Sequence, residues 1–433
     1  MLLRIEDTDV ERSRQHHAEQ IVSSLKWLGV EWDEGPIYQS DRLDRYRERA
    51  NKLVELGLAY RCYCTVEELE ADRNAAEAAG RAYRYSGRCR TRAEGGGPQP
   101  VGESHVIRFR VPEGSIDFHD LIRGDMHFDA KEIDDFVILR SDSYPTYHLS
   151  VVVDDIDMEI THVARGDDHL SNTPKHILLF NAFNGEVPVF AHLPLILGSD
   201  KKRLSKRTGA TSAEEYRELG VVPEALFNFL MLLGWSPGGD RELITPDEAS
   251  AIFDLSDVHK APAVFDVEKL LWMNGQYLMR MSADQIFPHL LPCLGEQAKT
   301  LEEMRPVIEL TKSRGRTLRD IAAQMAPYLA DDFSLVYDDE AVKKHLKGDD
   351  LTMRMVDLRA ALAAVDPFDV QTSEQALRAL AEAKGMSAGK YIHPLRVGLL
   401  GVVSSPPIFD VAVTLGKART LRRLDALIAR LSS

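Results

Sequence analysis

Three separated stretches carry side chains that could act together on a small acid and a polyphosphate. The first, Gly198-Ser199-Asp200-Lys201-Lys202-Arg203-Leu204-Ser205-Lys206-Arg207-Thr208-Gly209, is a cationic loop between two glycines that follows the apolar run Val189 to Leu197. Lysine ammonium groups are mobile point charges for phosphate oxygens, arginine adds a planar fork, and flanking glycines let the loop close over a ligand. The second, Glu6-Asp7-Thr8-Asp9, offers carboxylates to an amino group; the third joins Tyr147 to Arg165, whose guanidinium could hold a carboxylate as a fork. Each has a local alternative. The loop could be a solvated turn, Asp9 or Ser13 could cap a helix, and Arg165 could pair with Asp167 or Asp168. Together, however, they provide for an amino group, a carboxylate and a phosphate chain. That combination fits activation of an amino acid by ATP, in which the carboxylate attacks the α-phosphate and pyrophosphate leaves. No Gly-x-x-x-x-Gly-Lys-Ser/Thr loop occurs, which disfavours a P-loop kinase or ATPase.

The elements that must position these groups read as an open α/β sheet. Leu2 to Ile5 is a short buried strand, followed by a helix through Ile21, Val22, Leu25 and Leu28 that Gly29 ends, and by a second helix over Leu43 to Leu58. Further on, Ile160 to Ala164, a helix opened by Ser171-Asn172-Thr173-Pro174, and Val189 to Leu197 make a β-α-β unit. Glu6 and Arg165 then follow the C-terminal ends of strands, where open parallel sheets bind ligands.

From Tyr60 the character changes. Cys62-x-Cys64, a charged helix around Glu67 to Ala79, and Tyr85-Ser86-Gly87-Arg88-Cys89 precede the linker-like Gly95-Gly96-Gly97-Pro98. Three cysteines could hold zinc if a fourth group joined them, with Tyr85 the nearest candidate; the alternative is free thiols. Val106 to Val111 and Asp135 to Arg140 read as strands of a mixed insertion outside the parallel sheet. After Gly209 the pattern is helical, first over Ala213 to Leu219 and Pro223 to Leu233, then as an array of helices from about Ala283 to Ser433.

A chain of 433 residues predicts two to four domains. Its formal charge of −15 argues against coating nucleic acid without discrimination, which needs a broadly positive surface. Local clusters, among them Arg81 to Arg92, Lys312 to Arg319 and Lys417 to Arg423, could still confine a polyanion to particular faces. No apolar run approaches a bilayer's thickness and the N-terminus lacks a signal pattern, so a cytoplasmic protein with no membrane partner is expected. Four cysteines fit a reducing compartment.

Arg4-Ile5-Glu6-Asp7-Thr8-Asp9, Pro145-Thr146-Tyr147-His148-Leu149, Val163-Ala164-Arg165-Gly166-Asp167-Asp168-His169, Arg203-Leu204-Ser205-Lys206-Arg207 and Leu271-Trp272-Met273-Asn274 closely resemble, in this order, the motifs of bacterial glutamyl-tRNA synthetases, class I aminoacyl-tRNA synthetases. The resemblance implies a Rossmann-like parallel sheet with an α+β insertion and an all-α C-terminal half. It implies catalytic-domain segments at 1–59 and 144–210, an acceptor-stem-binding insertion at 60–143, a helical stem-contact domain at 211–282 and a helical anticodon-binding region at 283–433. By the same likeness Arg203, Leu204, Ser205, Lys206 and Arg207 form an ATP signature, with Ser205 and Lys206 catalytic and Lys206 the principal phosphate-binding lysine. Glu6 would bind the α-amino group of L-glutamate, Arg165 its α-carboxylate and Tyr147 its side-chain end. ATP with Mg2+ and tRNA(Glu) are the implied partners of a monomer. Cys62, Cys64, Tyr85 and Cys89 match positions where some members hold zinc, although Thr91 stands where certain members have histidine.

One departure accompanies these matches. The family's opening strand, reading like Phe-Ala-Pro-Ser-Pro-Thr-Gly, and its helix beginning His-Ile-Gly-Gly do not occur in this sequence. Those segments carry the other ATP signature and amount to roughly forty residues, one strand-helix unit with its loops. The first strand-helix unit is therefore expected to be missing, leaving an exposed apolar sheet edge. A catalytically inactive, truncated tRNA-binding protein is the alternative that this departure raises.

Overall fold

The computed structural model describes residues 1–8, 15–95, 104–204 and 212–432, which fall into two units. The first comprises Met1–Glu214 and Phe227–Asp266. In it β1 (Leu2–Ile5) leads through α1 (Gln15–Trp27) to β2 (Glu34–Tyr38), its parallel neighbour, and α2 (Leu43–Glu55) follows. The middle segment supplies β3 (Ala59–Cys62), α3 (Val66–Ala78), α4 (Arg88–Glu94), β4 (Val106–Phe109), β5 (Ser115–Asp120), β6 (Gly124–Asp129) and β7 (Val137–Leu139). Thr65 and Glu68 cap the start of α3 reciprocally, which satisfies two backbone N–H groups. Then come α5 (Tyr147–Asp157), β8 (His162–Gly166), α6 (Thr173–Ala182), β9 (Val189–Leu193), β10 (Ile196–Leu197), α7 (Ala213–Glu218) and α8 (Pro223–Gly234), both divided between the two units, α9 (Pro246–Ile252) and β11 (Ala263–Val264).

Two expectations change here. The single strand expected over Val189 to Leu197 is interrupted, because Pro194 has no N–H to give a ladder; β9 stops at Leu193, and β10 pairs with β11 instead. The middle segment is also not wholly outside the parallel sheet. β3, β4 and β7 form their own antiparallel sheet, but the β5–β6 hairpin attaches to β9 through a parallel bridge between Asp120 and Phe190, which gives the order β6-β5-β9-β8. The parallel pairs β1–β2 and β8–β9 thus lie in separate sheets. Among the described residues β1 pairs only with β2 and β8 only with β9, and both strands line one groove.

The core of this unit packs α2, α5 and α6 against β4, β7 and β9 through Tyr46, Leu53, Ile107, Ile138, Leu149, Leu179 and Phe180, all buried. Truncating Leu149 or Leu179 to alanine is worth about 2–5 kcal/mol at such fully enclosed positions. The buried Asp154 carboxylate ties α2 to α5 by accepting from the Tyr46 hydroxyl at 2.8 Å, Gln39 Nε2 at 2.9 Å and Arg42 Nε at 2.8 Å.

The second unit comprises Glu215–Leu226 and Val267–Ser433. After residue 266 it is helical throughout: α10 (Val267–Arg280), α11 (Ala283–Leu294), α12 (Leu301–Thr311), α13 (Leu318–Leu329), α14 (Asp339–His345), α15 (Leu351–Ala363), α16 (Val370–Ala383), α17 (Gly389–Leu400), α18 (Ile408–Leu415) and α19 (Lys417–Ser432). Ser282, Thr300, Thr317 and Asp369 each open a helix with a reciprocal capping box, so the sequence marks the starts of this array locally. Asn274, from the Leu-Trp-Met-Asn motif, is a buried staple. Its Oδ1 accepts from Val222 N–H at 2.9 Å and its Nδ2 donates to the carbonyls of Gly220 at 3.3 Å and Arg316 at 2.7 Å. At the other end of the unit Asp332 accepts from Arg419, Arg422 and Arg423, while Arg419 and Arg423 also donate to carbonyls at the C-terminal ends of α13 and α17. No helix among the described residues is long and apolar enough to cross a membrane.

Candidate active site

Glu6, Tyr147 and Arg165 come from three elements and line the same open groove of about 320 Å³, together with Leu2, Arg4 and Asp155. Glu6 follows β1, Tyr147 is the first residue of α5, and Arg165 lies in β8. The carboxylates after β1 have separate duties. Glu6 accepts from Arg4 Nη2 at 3.2 Å and remains partly exposed, whereas Asp7 accepts the Ser40 N–H at 2.8 Å and its hydroxyl at 2.6 Å, fastening the end of β1 to the segment after β2. Asp9 lies outside the described residues.

Arg165 pairs with neither aspartate beside it. Asp167 accepts from Arg123 at 2.6 Å and Asp168 from Arg203 at 2.9 Å. The guanidinium of Arg165 instead meets neutral acceptors: His192 Nε2 at 3.2 Å, the Tyr147 hydroxyl at 3.3 Å, His176 Nδ1 at 3.3 Å, the Thr173 hydroxyl at 2.8 Å and the His169 carbonyl at 3.4 Å. Among the described residues no carboxylate forms an ion pair with it, so it is a positioned, uncompensated cation at the edge of a groove. Nearby Arg4 shows the contrast, donating to Asp155 at 2.8 Å as well as to Glu6.

The histidines around Arg165 are held neutral. Burial, then the charges of Lys175 and Arg165, push His148 down to about 4. Burial and Arg165 drive His176 well below its ordinary value. His192 is lowered by burial against the opposing pull of Asp120. His148 Nδ1 lies 3.1 Å from His176 Nε2. With His176 Nδ1 accepting from Arg165, its Nε2–H donates to His148, a tautomer assignment that follows from the network. Burial raises the Tyr147 hydroxyl, which therefore keeps its proton for a ligand oxygen.

The cationic loop begins as a tight return. Leu204 N–H donates to the Ile196 carbonyl at 3.0 Å, Gly198 N–H to Lys202 O at 2.8 Å, and Asp200 accepts from Lys202 N–H at 3.0 Å. Its first arginine, Arg203, is latched to Asp168, and Arg203 and Leu204 line a second cavity of about 450 Å³ with Gly166, Leu195, Leu230 and Leu233. Arg165 borders both cavities. Ser205, Lys206 and Arg207 lie outside the described residues.

The three cysteines of the middle segment converge, their sulfurs all within 4.8 Å of one another. Cys64 and Cys89 Sγ are 3.6 Å apart, and the Tyr85 hydroxyl lies 3.3 Å from Cys62 Sγ and 3.7 Å from Cys64 Sγ. Ligands about 2.3 Å from a tetrahedral zinc place sulfurs roughly 3.8 Å apart, so the set fits zinc. Burial raises Cys62, but hydrogen bonds from Tyr85, the Cys64 backbone and Arg108 outweigh it and leave the thiol lowered. Cys64 is pushed up to about 12, chiefly by burial. Thr91 faces its own helix, with its hydroxyl 3.5 Å from the Gly87 carbonyl.

Sequence reading missed Asp120, Thr173, His176 and His192, which build the walls around Arg165. Only their placement on neighbouring strands and on α6 gives them a common purpose, and no local spacing signals it.

A groove of amino-acid size at strand ends, beside a cavity bordered by a cationic loop, is the layout of a class I aminoacyl-tRNA synthetase. Residues 1–272 match the family model of the catalytic domain of class I tRNA synthetases (E and Q), and residues 281–428 match an anticodon binding domain; the chain belongs to that synthetase family. Among its relatives, a glutamate–tRNA ligase 2 of Koribacter versatilis is 45% identical over 98% of this chain and 90% of its own length. A glutamate–tRNA ligase 2 of Thermoanaerobacter pseudethanolicus is 41% identical over 99% and 90%. The crystal structure of a glutamate tRNA ligase from Elizabethkingia meningosepticum, in complex with its amino acid, superposes with a TM-score of 0.84 at 33% identity, over 99% of this chain and 92% of that one.

Proposed function

We propose that this chain is a glutamate–tRNA ligase: it activates L-glutamate with ATP to glutamyl-adenylate and transfers the glutamyl group to the 3′ end of tRNA(Glu). The observation that carries this reading is Arg165, a guanidinium facing a groove, surrounded by neutral acceptors and, among the described residues, paired with no carboxylate. It suits the substrate α-carboxylate. Glu6, already beside Arg4, takes the α-amino group, and Tyr147 offers its hydroxyl to the side-chain end. One α-carboxylate oxygen attacks the α-phosphorus of ATP, the bond to the bridging oxygen breaks, and pyrophosphate departs with its charge neutralised by the Arg203–Arg207 signature, with Lys206 the principal lysine; Mg2+ accompanying the ATP would add to that neutralisation. A ribose hydroxyl of the tRNA terminus then displaces AMP and forms the ester. Residues 60–143 contact the acceptor stem, 211–282 the adjoining stem, and the helices of 283–433 the anticodon; the match of 281–428 to an anticodon binding domain supports the last assignment.

Charging of purified tRNA with radiolabelled amino acids tests this reading. Glutamate should appear as an ester on tRNA(Glu) in an ATP-dependent manner. Failure to esterify glutamate, or equal charging with glutamine, overturns it.

Cys62, Cys64, Cys89 and Tyr85 would hold one structural zinc, which supplies a cross-link joining β3, the segment after it and α4. Metal analysis after dialysis should return one equivalent, lost in Cys62→Ser. No stoichiometric metal in the unaltered protein would reject the assignment.

A further inference from the structure

Asp120, His192 and Arg165 occupy three adjacent strands, β5, β9 and β8. Arg165 and His192 are direct register partners, and Asp120 bridges the strand on the other side of His192. Asp120 and His192 are fully buried. Asp120 Oδ1 accepts three backbone N–H groups, those of Ile122 at 3.0 Å, Arg123 at 2.8 Å and His192 at 3.2 Å. Its other oxygen lies 2.6 Å from His192 Nδ1. A carboxylate so held stays ionised, and its depressed titration agrees, with the backbone donors and His192 overcoming burial. An ionised carboxylate can only accept, so His192 carries its proton on Nδ1 and turns the bare lone pair of Nε2 toward Arg165 Nε at 3.2 Å and the Thr173 hydroxyl at 3.1 Å.

We propose that Asp120 and His192 are positioning residues for the amino-acid site, acting as a relay across the sheet: Asp120 selects the His192 tautomer, and His192 aims Arg165 at the groove. The inference rests on the glutamate reading of Arg165 and adds to it the reason that the guanidinium can stand uncompensated. An acidic neighbour would hold Arg165 more strongly but would cancel the charge that draws the substrate carboxylate. A neutral imidazole with a fixed lone pair orients the cation through its Nε–H and leaves its charge undiminished, and the acid that enforces this lies one strand further away.

Asp120→Asn separates orientation from packing. Its amide oxygen keeps the three backbone bonds, while its NH2 replaces the acceptor facing His192 Nδ1. The imidazole must then place its proton on Nε2, donor against donor with Arg165. The KM for glutamate in tRNA charging should rise roughly ten- to hundredfold, the scale seen when the group orienting a binding residue is lost. The KM values for ATP and tRNA should move less than about threefold, and the melting temperature should stay near that of the unaltered protein. Nitrogen-15 NMR of labelled histidine should place the His192 proton on Nδ1 in the unaltered protein and on Nε2 in Asp120→Asn. His192→Gln, whose carbonyl can accept from Arg165 without help from residue 120, should make the Asp120→Asn, His192→Gln double variant less impaired than Asp120→Asn alone. An Nε2-protonated His192 in the unaltered protein, or a glutamate KM unmoved by Asp120→Asn, overturns the relay alone. Absence of glutamate charging by the unaltered protein overturns the proposed function instead, and the NMR result then decides the relay by itself.

Discussion

Arg165 in the first unit, partly buried, and Arg423 in the second, fully buried, both make hydrogen bonds through all three guanidinium nitrogens, but their surroundings differ in charge. Arg423 is fully buried and donates to Asp332 at 2.9 Å and to the carbonyls of Leu399 and Ala330; Arg419 and Arg422 converge on the same carboxylate. Arg165 has five neutral partners and no counter-ion among the described residues. The first arrangement is neutralised from within, whereas the second, although its donors meet neutral acceptors, keeps its charge for a carboxylate from outside. Charge compensation, not the number of hydrogen bonds, therefore separates an arginine that holds helices together from one that recognises a ligand.

The harshest test of the comparison removes Asp332. Asp332→Ala leaves three arginines without their shared acceptor and should destabilise the second unit by about 3–5 kcal/mol, the scale for breaking a buried ion pair from one side. Calorimetry should show the transition of that unit moving down; an unchanged transition would mean that the cluster is not the anchor described. The counterpart, Arg165→Gln, should cost less folding stability than Asp332→Ala, about 1–3 kcal/mol, because it leaves neutral acceptors and no counter-ion behind. Its glutamate KM should rise roughly 10–150-fold, as expected for about 1.5–3 kcal/mol of charged hydrogen bonding. A destabilisation of this variant as large as that of Asp332→Ala would erase the distinction between the two sites.

Acid should part the two units next. Unfolded histidines bind protons near 6.5, but folded His148 resists until about 4, and His176 and His192 are lowered as well. The unfolded chain then binds more protons, so the first unit loses stability as pH falls from about 6.5 toward 4. Asp332 is held below its ordinary value of 3.8 because its three arginines outweigh burial. Its contribution persists above 3.8 and is lost only as pH falls through the lower folded value. His345, lowered by partial burial and by His393 beside it, adds a smaller loss to the second unit over the histidine window. Hydrogen exchange, corrected for intrinsic rate, should show α5 and α6 losing protection between pH 7.5 and 5 well before α13 and α19; the reverse order would refute the assignment of neutral histidines. At the small end, Arg359→Ala, which breaks the exposed pair with Asp425 at 2.8 Å, should leave the melting temperature of the second unit essentially unmoved.

Much of the site was legible because its chemistry is local. Glu6 after a strand, Arg165 expected just after another but lying in the last residues of β8, and a lysine-rich loop between glycines each declare themselves within a few residues, and the cysteine spacing named the set that the fold gathers. The surroundings of Arg165 were not legible. Asp120 lies 45 positions before Arg165 and His192 lies 27 after it, and only the register of β9 against β8 makes them neighbours. The hairpin's attachment to β9 was hidden for the same reason, since strand partners are chosen by tertiary packing. In the helical unit, by contrast, the capping boxes announce element starts within four residues.

The β5–β6 hairpin also bears on exchanging modules between relatives. Residues 60–143 look like a cassette that could be lifted out at its two ends. Removing them whole would strip β9 of one of its two neighbours and take away the carboxylate beneath His192. A transplant has to keep residues 115–129 with the host sheet and also β4 and β7, whose Ile107 and Ile138 sit in the core with α2, α5 and α6.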